Sequence, residues 1–240
     1  LLMGDSFAEG SCVNQEYEPA NLLNKKYNLK TYNIGISGNG PLLSLALAHE
    51  IKTLTDFNYI VWLIYDNDFY DVHLELKSKY LKNYLEKNFN NNNYFSLLHQ
   101  STEFQKKYIE ENMNSFKRGF SLKESILELK PLIYRINKLL SQKKSDEVFE
   151  YNKKIFNKIF NKIVYLFPEK KIFVIYLPET TCFGSRSIEC SKRFDEMKNF
   201  SDKIIFLNFF DHIKKNFEDY KEIYALGLER SHFSNEGYNE

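Results

Sequence analysis

The sequence predicts an α/β domain: a parallel sheet with helices on both faces. Three observations point there. Apolar runs of strand length alternate with segments of helical periodicity, the pattern of parallel strands joined by crossover helices. The most apolar run, Tyr59 to Tyr65, reads YIVWLIY without polar alternation, as a central parallel strand covered on both faces does. Polar segments rich in Gly, Asn and Asp follow the strands directly, at the sheet edge where ligands of such folds sit.

Taken in order, Leu1–Leu2–Met3 reads as the end of a first buried strand. Gly4–Asp5–Ser6 then turns into a helix starting at Phe7–Ala8–Glu9. Ser11 to Glu18 is polar and loop-like, and Pro19 opens a short helix at a position where its missing N–H costs nothing. Thr31 to Ile36 is predicted as the second strand, ending in Ser37–Gly38–Asn39–Gly40. Pro41 starts a helix with Leu43, Leu47, Ile51 and Leu54 at helical spacing. The third strand, Tyr59 to Tyr65, stops at Asp66–Asn67–Asp68. Residues 74 to 167 read as mostly helical: about 74–86, a loop over Asn88 to Asn93, about 102–116, then 122–140 kinked or split by Pro131, then a helix opening at Ser145. Its Ile155, Ile159 and Ile163, with Phe156 and Phe160 beside them, read as core packing. Lys171 to Tyr176 is the fourth strand. A polar loop with Cys182 and Cys190 follows, then a short helix near Arg193 to Phe200. Lys203 to Leu207 is the fifth strand, and a helix near His212 to Phe217 comes after it. The polar tail from Gly227 to Tyr238 has no strand of its own.

Length and composition bound the answer. The 240 residues suffice for one domain with a large core, 1–240, carrying a helical insertion over about 74–145. The formal charge of +1 gives no footprint for nucleic acid. No run approaches the roughly 20 apolar residues of a membrane span. The chain opens inside a strand and without a start methionine, as an excised domain does, and no signal peptide is visible. Three cysteines, Cys12, Cys182 and Cys190, make neither a zinc spacing nor a disulfide framework, and whether Cys182 pairs with Cys190 stays open. The five histidines are scattered, which argues against a metal site.

Acyl transfer by serine needs a hydroxyl, a base, a group that orients the base, and donors for the oxyanion. Each polar segment offers one. Ser6, at a strand-to-helix turn beside unpaired helix N–H groups, offers the hydroxyl. His232 offers the base, and Glu229, one turn earlier, a group to hold it. Gly38 N–H and the Asn67 amide complete the oxyanion donors with Ser6 N–H. Each residue also has a structural reading: Asp5 and Ser6 as helix caps, Gly38 as a strand end, Asn67 as a turn, His232 as a surface side chain.

These blocks in this order, Gly4–Asp5–Ser6, Ser37–Gly38–Asn39–Gly40, Asn67–Asp68 and Glu229-x-x-His232, resemble the SGNH, or GDSL-type, hydrolase family. The resemblance spans nearly the whole chain. It implies a flavodoxin-like three-layer α/β/α fold of about five parallel strands. It also implies Ser6 as nucleophile, Gly38 and Asn67 as oxyanion donors, His232 as base, and no metal or organic cofactor. Two departures stand out. Glu229 holds the place where the family usually has Asp, so a backbone carbonyl is an alternative partner for His232. The helical insertion is also larger than the minimal fold. Expected substrates are small acyl esters, acetyl esters of carbohydrate or lipid first. A polysaccharide O-acetyltransferase and a non-catalytic carbohydrate-binding domain are the alternatives. The polysaccharide reading leans towards the cell envelope.

Overall fold

The computed structural model describes residues 1–86, 89, 145–184, 186–225 and 232–239, with backbone alone for 145–151. Leu1–Phe89 with Phe149–Glu240 form one compact unit, which holds the sheet and the candidate site, and Asn90–Val148 form a second. The helices expected over 102–116 and 122–140 lie outside the described residues, as does Glu229.

Four strands make one all-parallel sheet in the order β1 (Leu2–Met3), β2 (Tyr59–Tyr65), β3 (Lys171–Leu177), β4 (Ile204–Asn208). Among the described residues the sheet has four strands, not the five predicted. Thr31 to Ile36 reaches it through a single parallel bridge, Asn33 to Leu2, on the far side of β1 from β2. The cause is local. β1 ends after two residues because Gly4 turns out of it at φ +146, where a Cβ would stand 2.6 Å from the Leu63 carbonyl oxygen. Little edge is left to pair. Leu2 N–H donates to Tyr32 O at 2.8 Å, and Ile34 N–H donates to Leu2 O at 2.9 Å. The Asn33 side chain then takes Gly35 N–H (2.9 Å) and donates to Ala8 O (2.7 Å), so the segment bends towards the first helix instead of running on as a strand.

The first helices are α1 (Ser6–Glu9), α2 (Pro19–Tyr27) and α3 (Pro41–Ile51); both prolines sit in a first turn, as expected. Next come α4 (Asp68–Glu75) and α5 (Lys79–Asn83) in place of one helix over 74–86. The polar cluster after β2 is itself the helix start: Asp68 Oδ2 accepts Tyr65 N–H at 2.9 Å, folding the chain back at once. Ser78 then caps α5 by accepting Leu81 N–H. Last are α6 (Ser145–Leu166), α7 (Ser187–Met197), α8 (Phe209–Asn216) and α9 (Asn235–Asn239). α7 and α8 begin a few residues earlier than expected, and α9 was not expected in the tail.

Alternate side chains of each strand enter different cores, the consequence of a two-residue period in a sheet covered on both faces. One face carries Met3, Ile60, Trp62, Ile64, Ile172, Val174 and Tyr176 against Leu42 and Leu45 of α3, Phe69 and Val72 of α4, and Phe156, Ile159, Phe160 and Ile163 of α6. The other carries Leu2, Leu63, Tyr65 and Leu177 against Phe7 and Ala8 of α1, Ile213 of α8, and Ile223, Tyr224 and Phe233 near the tail. Full burial of each such side chain contributes roughly 1.5–3 kcal/mol before its ordering entropy is counted. No helix among the described residues is long and apolar enough to cross a membrane.

Candidate active site

Ser6 is the first residue of α1. Asp5 caps that helix, its Oδ1 accepting Phe7 N–H at 2.9 Å, and Gly10 closes it in the left-handed conformation. The capping expected from Asp5 is therefore real, and it leaves the Ser6 side chain to other work. Ser6 Oγ lies 2.7 Å from His232 Nε2, although the two residues are 226 positions apart. The tail is held in place from both sides of His232. Ala225 N–H donates to His232 O at 2.8 Å, and Ser234 N–H donates to Ile223 O at 2.8 Å. Phe7 lies under the ring, its centroid 5.0 Å from that of His232 and 4.2 Å from that of Tyr65. Tyr238 of α9 donates to Phe7 O at 3.0 Å, so the helix that carries Ser6 is bonded to the helix that follows His232.

The second ring nitrogen, Nδ1, faces the sulfur of Cys12 at 3.4 Å. Sequence reasoning did not find this contact. Glu229, the partner it named, is outside the described residues. Burial lowers the His232 pKa from its usual 6.5, and the nearby Glu9 carboxylate works against that. Glu9 also accepts Ser37 N–H at 2.8 Å, which ties the Gly38 loop to α1.

Gly38 has φ +83, and among the described residues no atom beyond its chain neighbours lies within 4 Å of where a Cβ would be, so it is the backbone angle that demands glycine. The segment after it is fixed by Glu75 of α4, whose carboxylate accepts the N–H groups of Gly40, Leu42 and Leu43 at 2.9–3.0 Å. Burial pushes Glu75 up to about 7 against those three hydrogen bonds. Asn67 leaves the end of β2. One of its two amide N–H groups donates to Asp71 Oδ2 at 2.6 Å, which orients the amide. Burial pushes Asp71 up to about 6 and Asp5 to about 6, and raises the fully buried Asp68 well above the usual carboxylate range.

Behind Asn67, Asp66 is locked. Its Oδ1 accepts Tyr176 OH (2.9 Å) and Arg193 Nη1 (2.7 Å), and its Oδ2 lies 3.1 Å from Arg186 Nη1. Arg186 also binds Glu179 at 2.6 Å. Cys182 and Cys190 do pair, as a buried disulfide that closes this loop. Among the described residues the grouping of ligand-type atoms tight enough for a metal is Asp66 with these two sulfurs, and a disulfide is not a thiolate ligand set.

Ser6 and His232 are thus in direct contact, while Gly38 and Asn67 sit on the loops that leave the sheet beside β1 and at the end of β2. Glu9, Cys12, Asp71 and Glu75 hold these candidate residues or the segments that carry them, and the sequence reading did not name them for the site. Asp71 had a signal, one helical turn after Asn67; Cys12 had none. Comparison with protein-family models finds no match for this chain, and comparison with curated proteins finds none either.

Proposed function

We propose that this chain is a serine hydrolase of the SGNH type. It cleaves a small acyl ester, an acetyl ester of a carbohydrate or lipid, through an acyl-enzyme on Ser6. The observation that carries the reading is the 2.7 Å approach of Ser6 Oγ to His232 Nε2 across 226 residues of chain. Helix capping gives no reason for that contact, since Asp5 already caps α1. The all-parallel sheet with helices on both faces supports the flavodoxin-like α/β/α arrangement that this reading expects.

In this reading Ser6 Oγ attacks the ester carbonyl while His232 Nε2 takes the hydroxyl proton. The oxyanion is met by Ser6 N–H, Gly38 N–H and the second amide N–H of Asn67; each preorganised donor of this kind is worth about 10²–10³ in rate. The imidazolium then protonates the leaving alkoxide. Water, deprotonated by the same nitrogen, releases the acid and restores Ser6. The chemistry calls for neither metal nor organic cofactor. Where a sugar hydroxyl takes the place of water, the same site is an O-acetyltransferase.

A fluorophosphonate probe tests the reading. It should label the native protein on Ser6, and Ser6→Ala should abolish both labelling and hydrolysis of p-nitrophenyl acetate without unfolding the chain. A folded protein that neither takes the probe nor turns over the ester overturns it.

A further inference from the structure

We propose that Cys12 is a positioning residue for His232, its sulfur accepting the Nδ1 proton and so holding the imidazole in the tautomer that can receive a proton from Ser6. The consequence for rate rests on the hydrolase reading above; the consequence for the ring itself rests on geometry alone.

Both ring nitrogens of His232 meet partners from one short stretch of chain. Nε2 is 2.7 Å from Ser6 Oγ and Nδ1 is 3.4 Å from Cys12 Sγ, inside sulfur hydrogen-bond range. A neutral imidazole carries one proton. On Nε2, that proton occupies the position facing Ser6, and the base has no lone pair to offer. On Nδ1, the Nε2 lone pair faces the hydroxyl and the N–H points at the sulfur. The two directions of this chain differ in their donors. Ser6 O–H is a stronger donor to an imidazole nitrogen than a thiol S–H, while the reverse direction gains an oxygen acceptor in place of sulfur, and only the direction in which Ser6 donates leaves a base able to take its proton. When His232 takes the Ser6 proton, the imidazolium still has the sulfur as acceptor for its second N–H.

The backbone is built to deliver that sulfur. Gly10 N–H and Ser11 N–H both donate to Ser6 O, at 3.1 and 3.0 Å, so the turn after α1 closes on the nucleophile's own carbonyl. Cys12 then takes φ +73, in the left-handed region that favours glycine. A side chain kept at a strained angle, in contact with the second nitrogen of a ring whose first nitrogen meets Ser6, is the arrangement of an orienting group. It occupies the role that a carboxylate fills in a serine triad.

Three variants separate this from a packing role: Cys12→Ala, Cys12→Gly and Cys12→Asp. Nitrogen-15 spectra of labelled histidine, taken at a pH where His232 is neutral, report which ring nitrogen holds the proton. The wild type should be protonated on Nδ1, and the alanine and glycine variants should shift substantially to Nε2. Their kcat for p-nitrophenyl acetate should fall about tenfold with KM little changed, a smaller loss than removal of a triad carboxylate because sulfur is the weaker acceptor. Cys12→Gly should melt no lower than wild type, because it relieves the left-handed angle; a packing role predicts the opposite. Cys12→Asp should keep the Nδ1 tautomer and restore kcat. Wild-type protein protonated on Nε2, or alanine and glycine variants with unchanged tautomer, overturns the proposal. So does a tautomer that responds to Glu229→Gln and not to Cys12. If Ser6 takes no fluorophosphonate, the hydrolase reading falls, and the tautomer still decides the role of Cys12.

Discussion

At the scale of single residues, the environment of His232 fixes how catalysis should respond to pH. Burial disfavours the imidazolium, so the neutral base persists below the usual 6.5, and the acid limb of the rate should lie below that value. Glu9 opposes this by stabilising the charged ring, so Glu9→Gln should move the limb further towards acid. Glutamine can still accept Ser37 N–H, so the plateau rate should change by less than about threefold. A pH–rate profile of both proteins checks the sign, and a limb above 6.5 or a shift towards alkali contradicts it. The pairing of Ser6 with His232 was legible because each sits in a short polar block, one beside a strand end and one in the tail. Cys12 was not. Its contact spans 220 residues and depends on a left-handed turn, which no local pattern of residue types announces.

At the scale of elements, strands were legible where an apolar run had two covered faces. β2 and β3 lie where the sequence put them, to within a residue, because after the exposed Tyr59 and Lys171 every side chain in them is buried or partly buried. Thr31 to Ile36 has strand-forming residues, but β1 offers too short an edge, and the Asn33 amide competes with the ladder. The start of α4 was hidden for a related reason: Asp66–Asn67–Asp68 has turn composition, yet Asp68 folds back on Tyr65 N–H and begins a helix. The loop after β3 yields a stability prediction. Its disulfide joins residues 8 apart, and closing so short a loop is worth about 2–3 kcal/mol through the unfolded chain. Reduction should lower the calorimetric Tm by about 5–10 °C, the shift expected for a domain of this size. Cys12 takes no part in the bridge, so the drop should persist in Cys12→Ala. A Tm indifferent to reductant contradicts the bridge. Because Arg186 ties this loop to Asp66, the residue before Asn67, loss of turnover in the reduced protein should accompany the drop.

At the scale of the whole molecule, the parallel sheet and its covering on both faces were legible, and the assignment of each helix to a face was not. Alternation of apolar and helical segments requires crossovers, and crossovers put helices on both faces. Which face receives which helix depends on packing between residues far apart in sequence. The result is a division of labour. One face carries most of the large buried side chains, with α3, α4 and α6, and holds the sheet together. The other carries α1, α8 and the tail, and the contact between Ser6 and His232 is made on that side.

That division has a consequence in time. Ser6 is synthesised 226 residues before His232, so a growing chain holds the proposed nucleophile long before the proposed base. Bringing the two together closes a loop of 226 residues, the kind of contact whose entropy is met late in folding. The single tryptophan, Trp62, is fully buried on the opposite face and packs against Phe160, which makes it an independent clock for the main core. On dilution from denaturant, the Trp62 fluorescence change should come first and ester hydrolysis should follow it. Turnover that returned ahead of the fluorescence would mean that the tail docks before the sheet is made.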